Sequence, residues 1–330
     1  MPNKNTPNII LIVLDAVRAD HISCYGYPRG TSPNIDALAH NGIKYNNAFS
    51  PSIWTPTVHG AIFTGRYPTH SGVYTGSLGL PKHLPVISEL LSNEGYKTFA
   101  TSSGLHLRSE RGYDRGFDEF IETYRIRPNF KFASKFLTDN AFRKQTLFSL
   151  TNGPDDKTFY KFQKLQEWIN HCTEIDAPFF GFINCKTAHQ PWNPPRPYKS
   201  LFGPPLSRPR YEFIERILEN FGRMPQNVDG IDMGRIEQVQ RGHPVIAGEL
   251  DLTSAEWDCI KSWYDGAIRY LDNHIGQLVS HLQSLDVFEN TLLVVTSDHG
   301  DHFGEKGLSS HMFSLSDHLL HVPLVISPPE

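Results

Sequence analysis

After a polar start the chain runs into a continuous apolar, β-branched stretch, Ile9–Leu14. A strand that is apolar at every position, rather than at alternate ones, is covered on both faces, as in the middle of a parallel sheet. Further segments read as strands of the same sheet: Lys97–Ser102, Pro178–Asn184 (PFFGFIN), Thr291–Ser297 (TLLVVTS) and Val322–Ile326. Between them the spacing becomes helical. Ser32–Pro33 opens a helix carrying Ile35, Leu38 and Ala39, with proline at a helix start. Thr55–Phe63 reads as a short helix closed by Gly65, and Leu84–Asn93 as another closed by Gly95. The longest, roughly Ser254–Leu285, is amphipathic through Trp263, Ile268, Leu271, Ile275, Leu278 and Leu282. Strands alternating with helices predict an α/β fold, a doubly wound and mostly parallel sheet sandwiched by helices.

One stretch breaks this rhythm. Gln190–Gly248 is rich in Pro, Arg and Gly, with one modest helix near Tyr211–Asn220. It reads either as a cap over a site or as a loosely ordered insertion, which chains tolerate energetically. The expected organisation is a single domain over 1–330, interrupted at about 190–250.

Composition narrows the class without naming a chemistry. Hydrophobic residues make up 39% and charged residues 20% of the 330, a globular balance. A net charge of -4 offers no electrostatic footprint for nucleic acid or an acidic membrane. Cys24, Cys172, Cys185 and Cys259 are widely separated, which suggests neither a zinc site nor a disulfide framework. The run ending at Leu14 is too short for a membrane helix or a signal peptide, and no later segment reaches spanning length. The expectation is a soluble, cytoplasmic protein with no membrane segment and no nucleic-acid partner.

In doubly wound sheets function collects beyond the carboxyl ends of the strands. The first strand ends at Asp15, the third at Asn184–His189, and the fourth at Asp298–His299–Gly300. Asp15, Asp298 and His299 would supply hard oxygen and imidazole ligands suited to Mn, Zn, Ca or Mg. Taken alone, a strand-end aspartate is equally a loop-capping residue, and Thr55 at a helix start is equally a simple N-cap.

Four ordered motifs change that balance. IILIVLDAVRADHISCYGYPRGTSPNIDALA resembles the opening of sulfatase catalytic domains, within the alkaline phosphatase superfamily, and WTPTVHGAIFTGRYPTHSGV resembles their nucleophile segment. YDGAIRYLDNHIGQLVSHLQSLDVFENTLLVVTSDHGDHFGEKG is similar to their long helix and metal-binding strand end, and SHMFSLSDHLLHVPLVI to the segment that follows. The resemblance implies a metal-dependent hydrolase or transferase acting on phosphate or sulfate esters of a small molecule, glycan or lipid. It matches Asp15, Asp298 and His299 to metal ligands and Thr55 to both nucleophile and ligand. A hydroxyl has too high a pKa to attack unaided, and a neighbouring cation is the physical means of lowering it. His59 stands where cysteine-type sulfatases carry arginine, one helical turn after Thr55, where it would contact an anion or shuttle a proton. His189 and His311 match substrate-contacting histidines, either of which would protonate the leaving oxygen. Lys186 and Lys306 are weaker matches for charge neutralisation, and Arg66 for bracing the nucleophile helix.

The departures are specific. Many sulfatases begin with adjacent aspartates, and here the second position is Ala16. Formylglycine cannot form at Thr55, which makes this a threonine-nucleophile type. Two-metal relatives carry an aspartate four residues before a histidine ligand; Cys185 stands there, so one divalent ion is expected. A threonine ester lacks the gem-diol exit that releases sulfate, so the chemistry leans to phosphoryl transfer. A true sulfuric ester hydrolase and a non-catalytic anion-binding relative stay open. Family domains usually continue beyond VPLVISPPE, so the resemblance implies a missing C-terminal subdomain.

Overall fold

The computed structural model describes residues 6–75, 78–104, 106–123, 132–153, 155–203, 206–221, 251–312 and 314–330. Its frame is a seven-stranded sheet built from β1 (Asn8–Leu14), β2 (Ile43–Lys44), β3 (Lys97–Ser102), β4 (Glu119–Glu122), β5 (Phe179–Cys185), β6 (Thr291–Ser297) and β7 (Leu324–Ser327). The order is β2-β7-β6-β1-β5-β3-β4. Strand β1 is central and parallel to β5 and β6, with Ile10 level with Gly181 and Leu293. Only β7, beside β6 and β2, runs antiparallel. The α/β sandwich is therefore the observed architecture, and its mostly parallel sheet the observed topology.

Both faces of the sheet are covered, as the unbroken apolar run of β1 requires. Ile10, Ile12 and Leu14 point into one hydrophobic cluster with Phe162, Leu165, Ile268, Leu271 and Ile275. Val13 points into the other, with Phe63, Val86, Phe180 and Phe182. The first cluster is supplied by α1 (Pro33–Asn41), α4 (Thr158–Glu174) and α5 (Ser254–Ser284); the second by α2 (Thr55–Thr64) and α3 (Ile87–Asn93). All six apolar positions expected to line α5 are buried. Gly181 in the middle of β5 lets α4 approach: a Cβ there would sit 2.9 Å from Leu165 Cδ1.

The differences from the sequence reading have local causes. Helix α4 was not expected, although Phe162, Leu165, Ile169 and Cys172 have helical spacing and are all buried. Its start has no capping residue at the N-cap itself, where Lys157 is left-handed; Asp155, three residues before Thr158, accepts from Phe159 N at 3.2 Å instead. The expected helix Leu84–Asn93 begins three residues late, at Ile87, after Pro85. The last strand is divided at Pro323: His321–Val322 pairs with Ala48–Phe49, and only Leu324–Ser327 joins the main sheet. Proline removes the ladder donor there. Strand β4 escapes a period-two reading because EFIE lies at the sheet edge and no residue of it is fully buried.

Part of the irregular segment is core rather than loose insertion. Trp192 is fully buried, the helix Arg208–Phe221 sends Ile214 and Leu218 into the first cluster, and Tyr198 packs on Gly266 of α5. Residues 222–250 lie outside the described ones. Among the described residues no helix is long and apolar enough to cross a membrane.

Helix α1 is capped from a distance. Ser32 makes no side-chain capping bond; instead Asp272, buried on α5, accepts from Asn34 N at 3.0 Å and Ile35 N at 2.8 Å. Burial pushes this carboxyl up to about 6, against those hydrogen bonds, which lower it. The folded state thus holds the proton more tightly than the unfolded chain, whose carboxyl titrates near ~4. This group's contribution to stability is fully present below pH ~4 and lost as pH rises through about 6. Against Asp272→Asn, wild type should therefore lose up to about 2 kcal/mol of relative stability between pH 4 and pH 7, read by urea unfolding at each pH.

Candidate active site

The carboxyl ends of β1 and β6 lie side by side, with Leu14 level with Ser297. The chain leaves β1 through Asp15, whose N–H donates to Cys185 O at 2.7 Å, tying it to the end of β5. Ala16 then takes a left-handed conformation (φ 67), unfavourable by roughly 1 kcal/mol for a residue with a Cβ. Three bonds hold it there. Ala16 N donates to Asp298 Oδ1 at 3.2 Å, Val17 N to Ser297 Oγ at 2.9 Å, and the hydroxyl of Tyr264 on α5 to Ala16 O at 2.8 Å. The tight turn after β6 needs Gly300: a Cβ would meet His318 O at 2.0 Å.

These turns bring Asp15 to the adjacent pair Asp298–His299, which lie 283 and 284 residues further along the chain. Asp15 Oδ1 lies 3.8 Å, and Asp298 Oδ2 3.6 Å, from His299 Nε2. All three residues are buried, and the three ligand atoms lie within 4.8 Å of one another. Asp298 Oδ1 is used by the N–H groups of Ala16 and His299, while Asp298 Oδ2 and Asp15 Oδ1 have no hydrogen-bond partner among the described residues. Two buried carboxylate oxygens facing each other without a donor are costly unless a positive charge joins them. His299 completes the cradle. Its Nδ1 donates to Gly300 O at 3.0 Å, which leaves the Nε2 lone pair turned inward. Burial lowers the proton affinity of His299, but Asp298, Asp15 and Asp301 outweigh it and hold the group above its ordinary value. The same field favours a divalent cation, and a set of two oxygens and one imidazole suits Mn, Zn, Mg or Ca.

Thr55 is the first residue of α2, and its Oγ1 lies 3.3 Å from His299 Nε2. Pro56 follows it in the first turn, and Gly65 closes the helix in a left-handed conformation. The first-turn amides point out of the helix start, where an anion is favoured. His59, wholly buried, donates from Nδ1 to Thr55 O at 2.8 Å and stands 3.8 Å from Asp298 Oδ2. A carbonyl only accepts, so Nδ1 carries the proton. Burial keeps the ring below its ordinary value despite Asp298, and its Nε2 has no hydrogen-bond partner among the described residues. A neutral His59 in this tautomer braces the Thr55 backbone; it has no second N–H to offer an anion.

The other two histidines line the same site. The rings of His189 and His311 are 5.1 Å apart, and those of His299 and His311 4.3 Å. His189 Nδ1 donates to Gln190 O at 2.8 Å, and burial, with Lys186 and His311 nearby, holds it well below its ordinary value. Lys186 is half-buried, Lys306 and Arg66 exposed. The Cys185 thiol is buried, and burial pushes it up to about 12. Two side chains were not anticipated. Asp301 is buried between His311 Nδ1, 2.9 Å from its Oδ1, and Trp192 Nε1, 2.9 Å from its Oδ2. Its signal in the sequence is the second acid of DHGD, ten residues before His311. His299, Asp301 and His311 are also close enough to share an ion, but both oxygens of Asp301 already accept hydrogen bonds, from His311 and Trp192.

Residues 7–330 match the family described as Sulfatase. Among characterised proteins the chain is similar to an ulvan-active sulfatase of Formosa agariphila, 23% identical over 98% of this chain and 56% of that one. It is likewise similar to human iduronate 2-sulfatase, 24% identical over 98% of this chain and 60% of that one. The chain thus spans less than two thirds of the length of these relatives. The phosphonate monoester hydrolase of Agrobacterium radiobacter has the same fold, with a TM-score of 0.66 at 20% identity over 98% of this chain and 68% of that one. With the match running over residues 7–330, the chain belongs to the sulfatase family.

Proposed function

We propose that this protein is a cation-dependent ester hydrolase or transferase in which Thr55 is the nucleophile and a phosphoryl group is transferred. One observation carries the reading: the Thr55 hydroxyl lies 3.3 Å from His299 Nε2, beside two buried carboxylate oxygens that lack any donor. Asp15, Asp298 and His299 would hold a single divalent ion, with Thr55 facing it. Such an ion supplies Lewis acidity that lowers the hydroxyl's pKa and offsets charge in the transferring group.

The protein's own groups do the rest. The start of α2 and Lys186 face the non-bridging oxygens. Thr55 gives up its hydroxyl proton to solvent and its Oγ forms a bond to phosphorus as the ester oxygen leaves, while whichever of His189 and His311 is protonated at both nitrogens gives that oxygen its Nε2 proton. Water or an acceptor alcohol then attacks phosphorus, returning its proton to the histidine and releasing Thr55. His59 keeps the nucleophile's backbone in register throughout. Phosphate is favoured over sulfate because a threonine ester offers no elimination route and must be displaced at the central atom, which phosphorus permits readily. The names of the relatives, an ulvan-active sulfatase and an iduronate 2-sulfatase, favour sulfuric ester hydrolysis on a glycan as the second reading.

Turnover of nitrophenyl phosphate, a nitrophenyl phosphodiester and nitrophenyl sulfate with added Mn separates these. Phosphoester cleavage is expected to exceed sulfate cleavage by about tenfold or more, equivalent to about 1.4 kcal/mol. Dominant sulfatase activity would transfer the site to the second reading, and no cleavage of any ester by Mn-bound protein would leave an anion-binding relative.

A further inference from the structure

Two histidines face the leaving oxygen in the reading above, and their surroundings differ in kind. His189 is tied through Nδ1 to a backbone carbonyl of its own turn, Gln190 O. His311 is tied through Nδ1 to a buried carboxylate, Asp301 Oδ1 at 2.9 Å. That carboxylate is itself fixed. Trp192 Nε1 donates to its second oxygen at 2.9 Å, and Arg18 Nη1 donates to the backbone carbonyl of Asp301 at 3.1 Å. Arg18 is anchored in turn by Asp20 and Glu305, each at 2.7 Å. Both oxygens of Asp301 therefore accept, and both donors are rings that cannot rotate away, since Trp192 is fully buried and His311 nearly so.

We propose that Asp301 is a positioning residue that fixes the orientation and tautomer of His311, making His311 rather than His189 the donor to the leaving oxygen. The inference rests on the Thr55 reading and refines it. A carboxylate at Nδ1 keeps the Nδ1–H in place and leaves Nε2 as the nitrogen that reaches the substrate. As the ester bond breaks, the ring, protonated at both nitrogens, gives its Nε2 proton to the departing oxygen and keeps the Nδ1 proton against Asp301. The attacking water or alcohol later restores the Nε2 proton. His189, lacking a carboxylate, acts as a hydrogen-bonding wall of the pocket. Trp192 contributes by holding the second oxygen, so that Asp301 cannot swing off His311.

Asparagine at 301 tests this sharply, because its NH2 must face one of two N–H donors. His311 then loses either its tautomer or its partner, with little change in volume. The experiment compares wild type, Asp301→Asn, His311→Gln and His189→Gln on two aryl esters of whichever oxyanion wild type cleaves: a dinitrophenyl ester, whose leaving group needs no proton, and a phenyl ester, which does. Asp301→Asn and His311→Gln should lower kcat on the phenyl ester by about 100-fold or more and on the dinitrophenyl ester by less than about 10-fold, while His189→Gln lowers both alike. Nitrogen-15 NMR of wild type should find His311 protonated at Nδ1, which keeps the test available if Asp301→Asn does not fold. Equal losses on both esters for Asp301→Asn and His311→Gln, or a leaving-group-selective loss in His189→Gln alone, would overturn the assignment. Wild type that cleaves neither ester would instead overturn the Thr55 reading beneath it.

Discussion

Thr55→Ala is expected to remove turnover almost completely, by about 10⁴-fold or more, while leaving the fold intact. Among the described residues the hydroxyl has one side-chain hydrogen-bond partner, His299 at 3.3 Å, and α2 is held by other means. His59 bonds the Thr55 carbonyl, Tyr113 bonds the Pro56 carbonyl at 2.7 Å, and Phe63 packs against Phe182. Loss of that one contact should change stability by no more than about 1 kcal/mol. Thr55→Ser keeps the hydroxyl and should keep most of the activity. Rates on a nitrophenyl ester with saturating Mn, beside urea unfolding of each variant, measure both halves. If the alanine variant keeps more than a few per cent of wild-type rate, another group is the nucleophile.

Asp298→Asn should have the second largest effect, and it isolates the cation. The Oδ1 of Asp298 accepts from Ala16 N and His299 N, and asparagine can keep both bonds. The change falls on Oδ2, the oxygen without a partner, which becomes an NH2. Cation affinity should collapse, with rate losses of about 10³-fold. Without added metal the variant should melt at or above the wild-type temperature, because a buried carboxylate repelled by Asp15 has been removed. With Mn at about 100 times its dissociation constant, wild type alone should gain about 2.7 kcal/mol. Thermal unfolding of both proteins, with chelator and with Mn, reads this directly. An equal Mn-dependent shift in both would place the ion elsewhere.

How far the sequence could be read followed the range of the interactions involved. The strands β1 and β6 were legible because a buried parallel strand writes its environment into every residue, and a run such as TLLVVTS has few other uses. Their polar ends, Asp15 and Asp298–His299, were legible for the same reason: charge that follows immediately on a wholly apolar strand marks where the strand meets a site. Helix α5 was legible from its amphipathic spacing from Trp263 to Leu282. Helix α4 was not, since its apolar spacing is interleaved with Tyr160, Lys161 and Trp168 and its capping acid, Asp155, lies outside the N-cap position. Lys161 would have argued against a buried face, yet it is buried, paired with Asp156 at 2.6 Å. The distant partners were beyond any local pattern. Asp272 caps a helix 237 residues earlier in the chain, and Trp192 reaches Asp301 across 109 residues. Such contacts depend on tertiary packing, and residue spacing carries no record of them.

The measurement that tests the central claim most directly is capture of the reaction on the chain itself. Wild-type protein with Mn would be mixed with a fast-leaving aryl ester, quenched in acid within milliseconds, digested, and its peptides examined by mass spectrometry at a resolution that separates phosphoryl from sulfuryl. A phosphoryl group on Thr55, absent when Asp298→Asn is treated in the same way, is the predicted result. Steady cleavage of the ester with no group ever found on Thr55 would contradict it.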